Sequence, residues 1–253
     1  MPLRLAPLLL TSSAIAMDQT VTLKDPEKRI HHTLESIGKW IGICPQIRMV
    51  LCDGSGYDFS GIVQRHFPQS RIECLFFENN KELVELYGKG YGEGEIIKYA
   101  LRHSVFLQEA DWFAKCTGKL WVDNFKSCLE EWNDLFLCKA FFANVFSLKK
   151  TNFEYIDTRF YLVKKNFYLK YFAETHLKVG GPYGTSIEQN FKAIVLENKL
   201  KRILFKSPPV IRGVGGGSGQ YYRNKPIRRL KESLRSKIVQ SNSSFRDLFN
   251  LAD

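Results

Sequence analysis

The sequence lacks several features that would define its class at once. No apolar run approaches the ~18 residues that a membrane-spanning helix requires. None of the six cysteines forms a Cys-x-x-Cys pair, and the five histidines are not spaced with cysteines as zinc ligands are. Most cysteines lie in apolar segments, as reduced thiols of cytosolic proteins do. The composition therefore excludes a membrane-spanning chain, a zinc finger and a disulfide scaffold, and it favours the cytoplasm.

Recognised phosphate-binding fingerprints are also missing. Residues 87–95 contain four glycines but no Gly-Lys-Ser/Thr ending, and no clear strand leads into them. A helix-like run follows this stretch and extends to about Leu107. A second glycine turn lies at residues 115–119, before the strand-like segment 120–122. One interpretation is a glycine loop that closes over a phosphorylated donor at a helix N-terminus. The alternative is a glycine-rich turn followed by an ordinary capped helix.

The order of elements predicts an α/β protein. The 253 residues suffice for one α/β domain with a sizeable core, and 44% of them are hydrophobic. A strand at residues 8–12, a helix starting at Asp25-Pro26 and a strand at residues 46–52 form a βαβ pattern. Parallel sheets bind ligands at the carboxyl ends of their strands, where the polar turns 11–13 and 53–58 lie. At this edge Asp53 either binds a ribose or base edge or only shapes its turn.

The remaining chain divides into further predicted elements. Apolar patterning predicts strands at residues 71–77, 119–122 and 155–163, a helix within 128–148, a helix capped by Ser186, a loop over 208–219 and a helix from Pro226. The N-terminus has two interpretations. Residues 1–16 contain either the first buried strand, which we favour, or a signal peptide that ends at Ala16.

Two acidic positions outside the glycine stretch are candidate site residues. Asp157 and Arg159 lie in an otherwise apolar strand, where charges are costly unless they are paired or used. They form either a salt bridge on one strand face or part of a donor site. Glu188 follows a flexible segment at a helix start, so it is either a general base or a carboxylate favoured there by the helix dipole.

The positive charge is concentrated in the last fifth of the chain. The net charge is +11, and residues 201–237 hold eleven Lys or Arg residues against the single acid Glu232. The predicted helix from Pro226 places Ile227, Leu230, Leu234 and Ile238 on one face and basic residues around the others. Such a helix suits an anionic membrane surface. The alternatives are a helix packed on its own domain and a nucleic-acid-binding segment, although Tyr221 and Tyr222 are the only aromatic residues there that could stack on bases.

Several motifs, taken in order, resemble one family. They are Leu-Leu-Leu-Thr-Ser from Leu8, Asp-Pro-Glu-Lys-Arg from Asp25, Val-Leu-Cys-Asp-Gly-Ser-Gly-Tyr-Asp from Val50, Tyr-Gly-Lys-Gly-Tyr-Gly-Glu-Gly-Glu from Tyr87, Lys-Cys-Thr-Gly-Lys from Lys115 and Asp-Thr-Arg-Phe from Asp157. Together they resemble bacterial glycosyltransferases of capsule and O-antigen loci over roughly residues 5–225. The resemblance implies a GT-A-like fold with a Rossmann-type central sheet flanked by helices. It also implies one glycosyltransferase domain in residues 1–225, followed by the basic amphipathic tail 226–253.

The resemblance implies partners as well. They are a nucleotide-sugar donor, a lipid-linked glycan acceptor and peripheral contact with an anionic inner membrane from the cytoplasmic side; nucleic acid is not expected. A divalent ion, Mn²⁺ or Mg²⁺, stays open, because no Asp-x-Asp motif is present and Asp123 with Asn124 is only a partial substitute.

The same resemblance assigns roles to particular residues. Thr11, Arg29, Asp53 and Ser55 would line the nucleotide, and Gly92, Glu93, Glu95 and Lys119 would lie at the diphosphate and donor sugar. Asp157 and Arg159 would lie near the reacting centre, and Asp157, Glu188 and Glu93 are the candidate catalytic acids. Family members often have a histidine after the acid near the late glycine loop, where this chain has Gln189.

Overall fold

A computed structural model describes residues 5–180, 184–223 and 226–251. Three predictions partly fall outside these ranges: the first four residues of the signal-peptide alternative, residues 181–183 of the late glycine loop, and the domain boundary at 225/226. The predicted division into a domain and a tail therefore stays a prediction.

The core of the fold is a six-stranded sheet with the order β3-β2-β1-β4-β7-β6. Strands β1 to β4 are parallel, β7 is antiparallel to β4, and β6 is antiparallel to β7. The strands are β1 Leu8–Ser12, β2 Met49–Asp53, β3 Ile72–Phe76, β4 Trp112–Thr117, β6 Phe136–Ala143 and β7 Asn152–Lys164. A small second sheet contains β5 Leu120–Val122, β8 Ile211–Val214 and β9 Tyr221–Tyr222 in the order β5-β8-β9.

Helices cover the central sheet. They are α1 Pro26–Ile43, α2 Ser60–His66, α3 Lys81–Tyr87, α4 Lys89–His103, α5 Val105–Gln108, α6 Phe125–Glu130, α7 Lys165–Tyr171, α8 Ile187–Glu197 and α9 Pro226–Ser241. Each face of the sheet has its own apolar core: Leu9 packs into one, whereas Leu8 and Leu10 pack into the other. The α/β prediction is confirmed. Of the six cysteines, all are free thiols and all but Cys74 are buried.

Strand β1 decides between the two interpretations of the N-terminus. It lies between β2 and β4, and Leu8, Leu9 and Leu10 are fully buried. Cleavage after Ala16 would remove a strand from the middle of the sheet. The buried-strand prediction is therefore confirmed.

Helix α1 starts where the sequence predicted. Asp25 accepts hydrogen bonds from the backbone N–H groups of Glu27 and Lys28, at 3.0 and 3.2 Å, and Pro26 is the first helical residue. The buried side chain of Trp40 and the hydroxyl of Ser36 both donate to the carbonyl of Leu120. These bonds fix α1 against β5, and with it the position of Arg29.

The prediction of a glycine loop over residues 87–95 is wrong. Only Gly88, with φ of 83°, forms a turn, and the residues that follow belong to α4. Glycines 90, 92 and 94 lie inside this helix because other elements approach it closely. A Cβ at Gly94 would lie 2.1 Å from Cγ of His176, and one at Gly90 would lie 3.1 Å from Cβ of Ile187. Tertiary packing thus outweighs the low helix propensity of glycine here.

We expect Gly94→Ala to destabilise the protein by several kcal/mol, because His176 is buried and cannot give way without disturbing its 2.7 Å contact with Glu95. Gly42→Ala is the matched control, since Gly42 is also helical and its Cβ would meet nothing within 4 Å. The control should stabilise by up to about 1 kcal/mol. Urea denaturation measures both, and equal effects of the two changes would contradict this explanation of the glycines.

Three other predictions of secondary structure need correction. A glycine turn was expected at residues 115–119, but residues 115–117 belong to the central strand β4. The strand predicted at 119–122 is present as β5, Leu120–Val122, and it belongs to the second sheet. Residues 136–143 form strand β6 rather than part of a helix, because a dense apolar and aromatic run has no period that separates the two. The predicted loop 208–219 contains strand β8.

Helix α9 has the predicted amphipathic character, but its apolar side is not covered. Ile227 and Leu230 are each 71% exposed and Leu234 is 50% exposed, whereas Val239 is buried. The helix is held to the body by polar contacts, including Gln240 with the carbonyl of Lys206 at 2.8 Å. Among the described residues, no helix has the length and apolar content needed to cross a bilayer.

Candidate functional site

A cavity of about 600 Å³ lies at the carboxyl ends of β1 and β4. Thr11 and Thr117 line it from these two strand ends. Helix α4, the start of α8, strand β7 and the glycine turn at residues 215–217 supply further walls. The position agrees with the sequence-based expectation, because parallel strands direct their carboxyl ends to a common edge.

Most of the predicted site residues line this cavity. They are Thr11, Arg29, Gly92, Glu93, Lys119, Asp157, Arg159 and Glu188. The lining does not include Asp53, Ser55 and Glu95. The fold therefore brings together residues that are distant in sequence and come from six different parts of the chain.

Asp53 and Ser55 connect the turns after β1 and β2. The fully buried carboxylate of Asp53 accepts hydrogen bonds from the N–H of Ala14 at 2.8 Å and from the hydroxyl of Ser55 at 2.6 Å. The hydroxyl of Ser55 in turn accepts from the N–H of Ile15 at 3.0 Å. Of the two sequence-based interpretations of Asp53, the contacts match turn chemistry.

Glu95 faces a different neighbour. Its carboxylate lies 2.7 Å from Nε2 of the buried His176 and 3.7 Å from Nζ of Lys98. These contacts join α4 to the short 3-10 helix Thr175–Lys178.

Two buried cations line the cavity. Arg29 donates to the carbonyls of Ser13 and Leu23 at 2.8 and 2.9 Å. Lys119 is 3% exposed, and its ammonium group makes no hydrogen bond or ion pair within the described part of the chain. Burial first, and then the charge of Arg29, lower the pKa of Lys119 to about 7, although Asp53 opposes this shift. An ammonium group without a partner in such a place is costly, and an anion in the cavity would relieve that cost.

Glu93 is held by a network that the sequence did not reveal. Its Oε1 atom accepts from Lys115 Nζ at 2.6 Å, from the hydroxyl of Thr11 at 2.9 Å and from Thr117 at 3.3 Å. Lys115 is fully buried and also donates to the carbonyl of Thr158 at 2.8 Å. This ion pair fixes α4 to β4 at the cavity wall.

Asp157 and Arg159 form the salt bridge that one interpretation predicted. Arg159 donates from Nε to Oδ1 at 2.7 Å and from a second nitrogen to Oδ2 at 2.5 Å. Burial raises the pKa of Asp157, but the charge and hydrogen bonds of Arg159 outweigh that effect and keep the pKa below its usual value. The guanidinium group also lies over the ring of Tyr222, 4.9 Å from its centroid. Arg159 is thus held in one orientation at the edge of the cavity.

Glu188 lies in the first turn of α8 but does not cap it. The capping box joins Ser186 and Gln189: the hydroxyl of Ser186 accepts from the N–H of Gln189, and the side chain of Gln189 accepts from the N–H of Ser186. Among the described residues, the carboxylate of Glu188 has one hydrogen-bond partner, the hydroxyl of Thr158, at a long distance of 3.4 Å. Its oxygens therefore have room for a further partner in the cavity.

Several cavity residues were not selected from the sequence. Asp18 is one of them, and its carboxylate accepts a hydrogen bond of 3.1 Å from the N–H of Lys89 at the start of α4. Gly217 is another, and its carbonyl accepts a hydrogen bond from the N–H of Thr22. Asn79 and Tyr222 also line the cavity. No local pattern marks these residues, because only long-range packing brings them to the site.

The described residues contain no group of three or more His, Cys, Asp or Glu side chains arranged to hold a metal ion. Asp123 pairs with Arg212 and Arg229, and Asn124 bonds the backbone of residues 208 and 210, so this pair does not line the cavity. The carboxylates that line the cavity are Asp18, Glu93, Asp157 and Glu188, of which Glu93 pairs with Lys115 and Asp157 pairs with Arg159. The basic residues of the cavity lining are Arg29, Lys89, Lys119, Arg159 and Arg228.

Comparison with solved structures supports the fold. The galactosyltransferase LgtC, solved with donor and acceptor sugar analogs, superposes with a TM-score of 0.50 over 98% of this chain and 84% of its own, at 10% identity. The chain has a GT-A-like fold. A glycosyltransferase involved in glycosylation of the PBCV-1 major capsid has a TM-score of 0.42 at 14% identity, covering 78% of each chain. GlyE from Streptococcus pneumoniae TIGR4 has a TM-score of 0.44 at 9% identity, covering 79% of this chain and 44% of its own. No protein-family profile and no curated protein matches the sequence.

Proposed function

We propose that the protein is a glycosyltransferase that moves a sugar from a nucleotide-sugar donor to an acceptor hydroxyl. The observation that carries this proposal is the buried ammonium of Lys119 beside Arg29, in a cavity at the strand ends of a GT-A-like sheet. This ammonium group has no partner among the residues that the structure describes. A nucleoside diphosphate is an anion that would satisfy both cations. The volume of about 600 Å³ is in the range of cavities that hold small-molecule ligands.

The proposal gives each side chain a role. The acceptor oxygen forms a bond to the anomeric carbon of the donor sugar while the bond from that carbon to the diphosphate breaks. Glu188 takes the proton of the acceptor hydroxyl, and Lys119 and Arg29 stabilise the negative charge that develops on the departing diphosphate. Glu93, held by Lys115, positions α4 and offers its second oxygen to the donor sugar.

Strand β7 borders the acceptor side in this proposal. The bidentate pair of Asp157 with Arg159 presents a fixed guanidinium group to the reacting centre. Asp157 is fully engaged by that pair, so Glu188 is the better placed base of the two candidates.

A thermal-shift screen against UDP-, GDP-, CMP- and dTDP-sugars, each with and without manganese, tests the donor class. We expect one nucleotide to raise the melting temperature by several degrees, because ligands that bind only the folded state stabilise it by mass action. If none of the four shifts the transition in either condition, the proposed donor class is wrong.

For the acceptor, we propose a lipid-linked surface glycan of the capsule or O-antigen kind, reached at the cytoplasmic face of the inner membrane. The exposed apolar side of α9 and its flanking Arg and Lys residues support this assignment. Anionic headgroups attract such basic residues, and leucines in the interface add apolar burial. The nucleic-acid alternative has less support, because Tyr222, one of its two candidate stacking residues, is covered by Arg159.

We expect Leu230→Ser combined with Leu234→Ser to weaken binding to anionic vesicles by about tenfold or more, since both side chains lie on the exposed side of α9. Leu196→Ser is the control, because Leu196 is 52% exposed but belongs to α8. Co-sedimentation with phosphatidylglycerol vesicles measures the effect. If the double variant and the control bound the vesicles equally well, α9 would not be the element that contacts the membrane.

A further inference from the structure

A second cavity, of about 340 Å³, lies between helix α9 and residues 206–211. It adjoins the donor cavity, because Arg159, Tyr222 and Arg228 line both. The donor chemistry proposed above uses no other residue of this second cavity, which is called the α9 cavity below.

The lining of the α9 cavity is strongly basic. Its charged side chains are Lys139, Arg159, Lys206, Arg228, Arg229 and Lys237, with Glu232 as the single acid. Lys139 pairs with Glu232 at 2.7 Å, Arg159 pairs with Asp157, and Arg229 pairs with Asp123 at 3.0 Å.

Three further basic residues belong to the lining. Within the described ranges, Lys206, Arg228 and Lys237 have no ion-pair partner. The hydroxyl group of Ser233 lies in the same lining. Several cations and a hydroxyl around one concave space are the groups that bind a phosphate.

The α9 cavity and the apolar side of α9 occupy different sides of the same helix. Residues Arg228, Glu232, Ser236 and Gln240 recur every four positions along the cavity wall. The exposed apolar residues Ile227, Leu230, Leu234 and Ile238 follow a separate stripe. A lipid chain can therefore contact the outer stripe while its phosphate enters the cavity beneath the helix.

We propose that the α9 cavity binds the phosphate group of the acceptor lipid. The acceptor glycan then passes Arg159 and Tyr222 into the donor cavity, where its hydroxyl meets Glu188. This inference rests on the proposed function for the identity of the acceptor. It adds the place where the acceptor is recognised and the requirement that the acceptor carry a phosphate.

Binding of dodecyl phosphate, measured by calorimetry below its micelle concentration at fixed ionic strength, tests the proposal. Dodecyl glucoside supplies the same chain without the charge, and inorganic phosphate supplies the charge without the chain. We expect Lys206→Gln with Lys237→Gln to weaken dodecyl phosphate binding by about tenfold or more, because two charged partners are lost. The control, Lys231→Gln with Lys150→Gln, removes two exposed lysines outside the cavity lining and should stay within about twofold of the parent protein.

The outcomes separate the two proposals. The α9 site would be overturned if both double variants lost the same affinity for dodecyl phosphate. It would also be overturned if dodecyl glucoside bound as tightly as dodecyl phosphate. Inorganic phosphate binding as tightly as dodecyl phosphate would overturn the assignment to a lipid. If no nucleotide sugar binds the parent protein but dodecyl phosphate binding still depends on Lys206 and Lys237, the donor proposal fails and the anion site stands.

Discussion

Replacing Lys119 by methionine is expected to weaken nucleotide-sugar binding by about a hundredfold and, at the same time, to stabilise the ligand-free protein. Methionine fills a similar volume without a charge. The buried ammonium has no partner in the described structure, so its removal relieves a desolvation cost on the order of 3 kcal/mol. A substitution that weakens ligand binding but stabilises the ligand-free protein identifies a residue whose function is to bind the ligand.

The pH dependence of stability follows from the depressed pKa of Lys119. The folded-state pKa is about 7, against 10.5 for the unfolded chain. Below pH 7 Lys119 is protonated in both the folded and the unfolded chain, so the folded state bears the whole free-energy cost of burying the ammonium group. Between these two values the unfolded state binds more protons, and the free energy of unfolding contributed by Lys119 rises with pH. The stability gain of Lys119→Met should therefore be larger at pH 6 than at pH 9, where part of the cost remains.

Urea denaturation at those two pH values measures the gain. Lys81→Met, at the exposed first residue of α3, is the control and should change the free energy of unfolding by no more than about 0.5 kcal/mol. Binding of the nucleotide to the parent protein should weaken as pH rises above 7, because the anion favours protonated Lys119. A Lys119→Met protein that is less stable at pH 6, or that binds the nucleotide like the parent, would contradict the role of Lys119.

Glu188→Gln is expected to lower kcat by 10²- to 10⁴-fold, the range for loss of a general base, with little change in donor affinity. Glutamine keeps the shape of the side chain but cannot accept the proton. The fold should be preserved, because Ser186 and Gln189 cap α8 and, within the described ranges, Glu188 contributes only a 3.4 Å contact.

Glu197→Gln, at the exposed end of the same helix, is the matched control and should retain full activity. Steady-state rates and donor binding, measured on the same preparations, separate chemistry from affinity. If Glu188→Gln keeps more than about a tenth of the parent rate, the base is another group.

The parts of the fold that local signals determine could be predicted from the sequence. The Asp25 cap, the apolar run of β1 and the Ser186 cap specify their elements through contacts within a few residues. The glycine-rich first half of helix α4 could not be predicted, because its glycines indicate a loop locally and only the close approach of His176 and Ile187 explains them. Residues 136–143 were assigned wrongly because their strand character depends on pairing with β7.

In the candidate site too, some residues could be identified from the sequence, whereas others depend on contacts between distant parts of the chain. Thr11 and Lys119 were assigned to the donor site by the family resemblance, and both line the cavity. For Thr11, the predicted strand end at residues 11–13 was a second signal. Asp53 sits at a strand end too, yet its carboxylate is used in holding the two turns together. Lys115 and Asp18 become recognisable only through contacts with Glu93 and Lys89, which are distant in sequence.

A crystal structure with a bound nucleotide sugar, chosen by the thermal-shift screen, tests the central claim most directly. We expect a diphosphate oxygen within hydrogen-bonding distance of Lys119 Nζ, with the sugar between Glu93 and Glu188. A diphosphate bound in the α9 cavity or elsewhere, with the ammonium of Lys119 still without a partner, would contradict it.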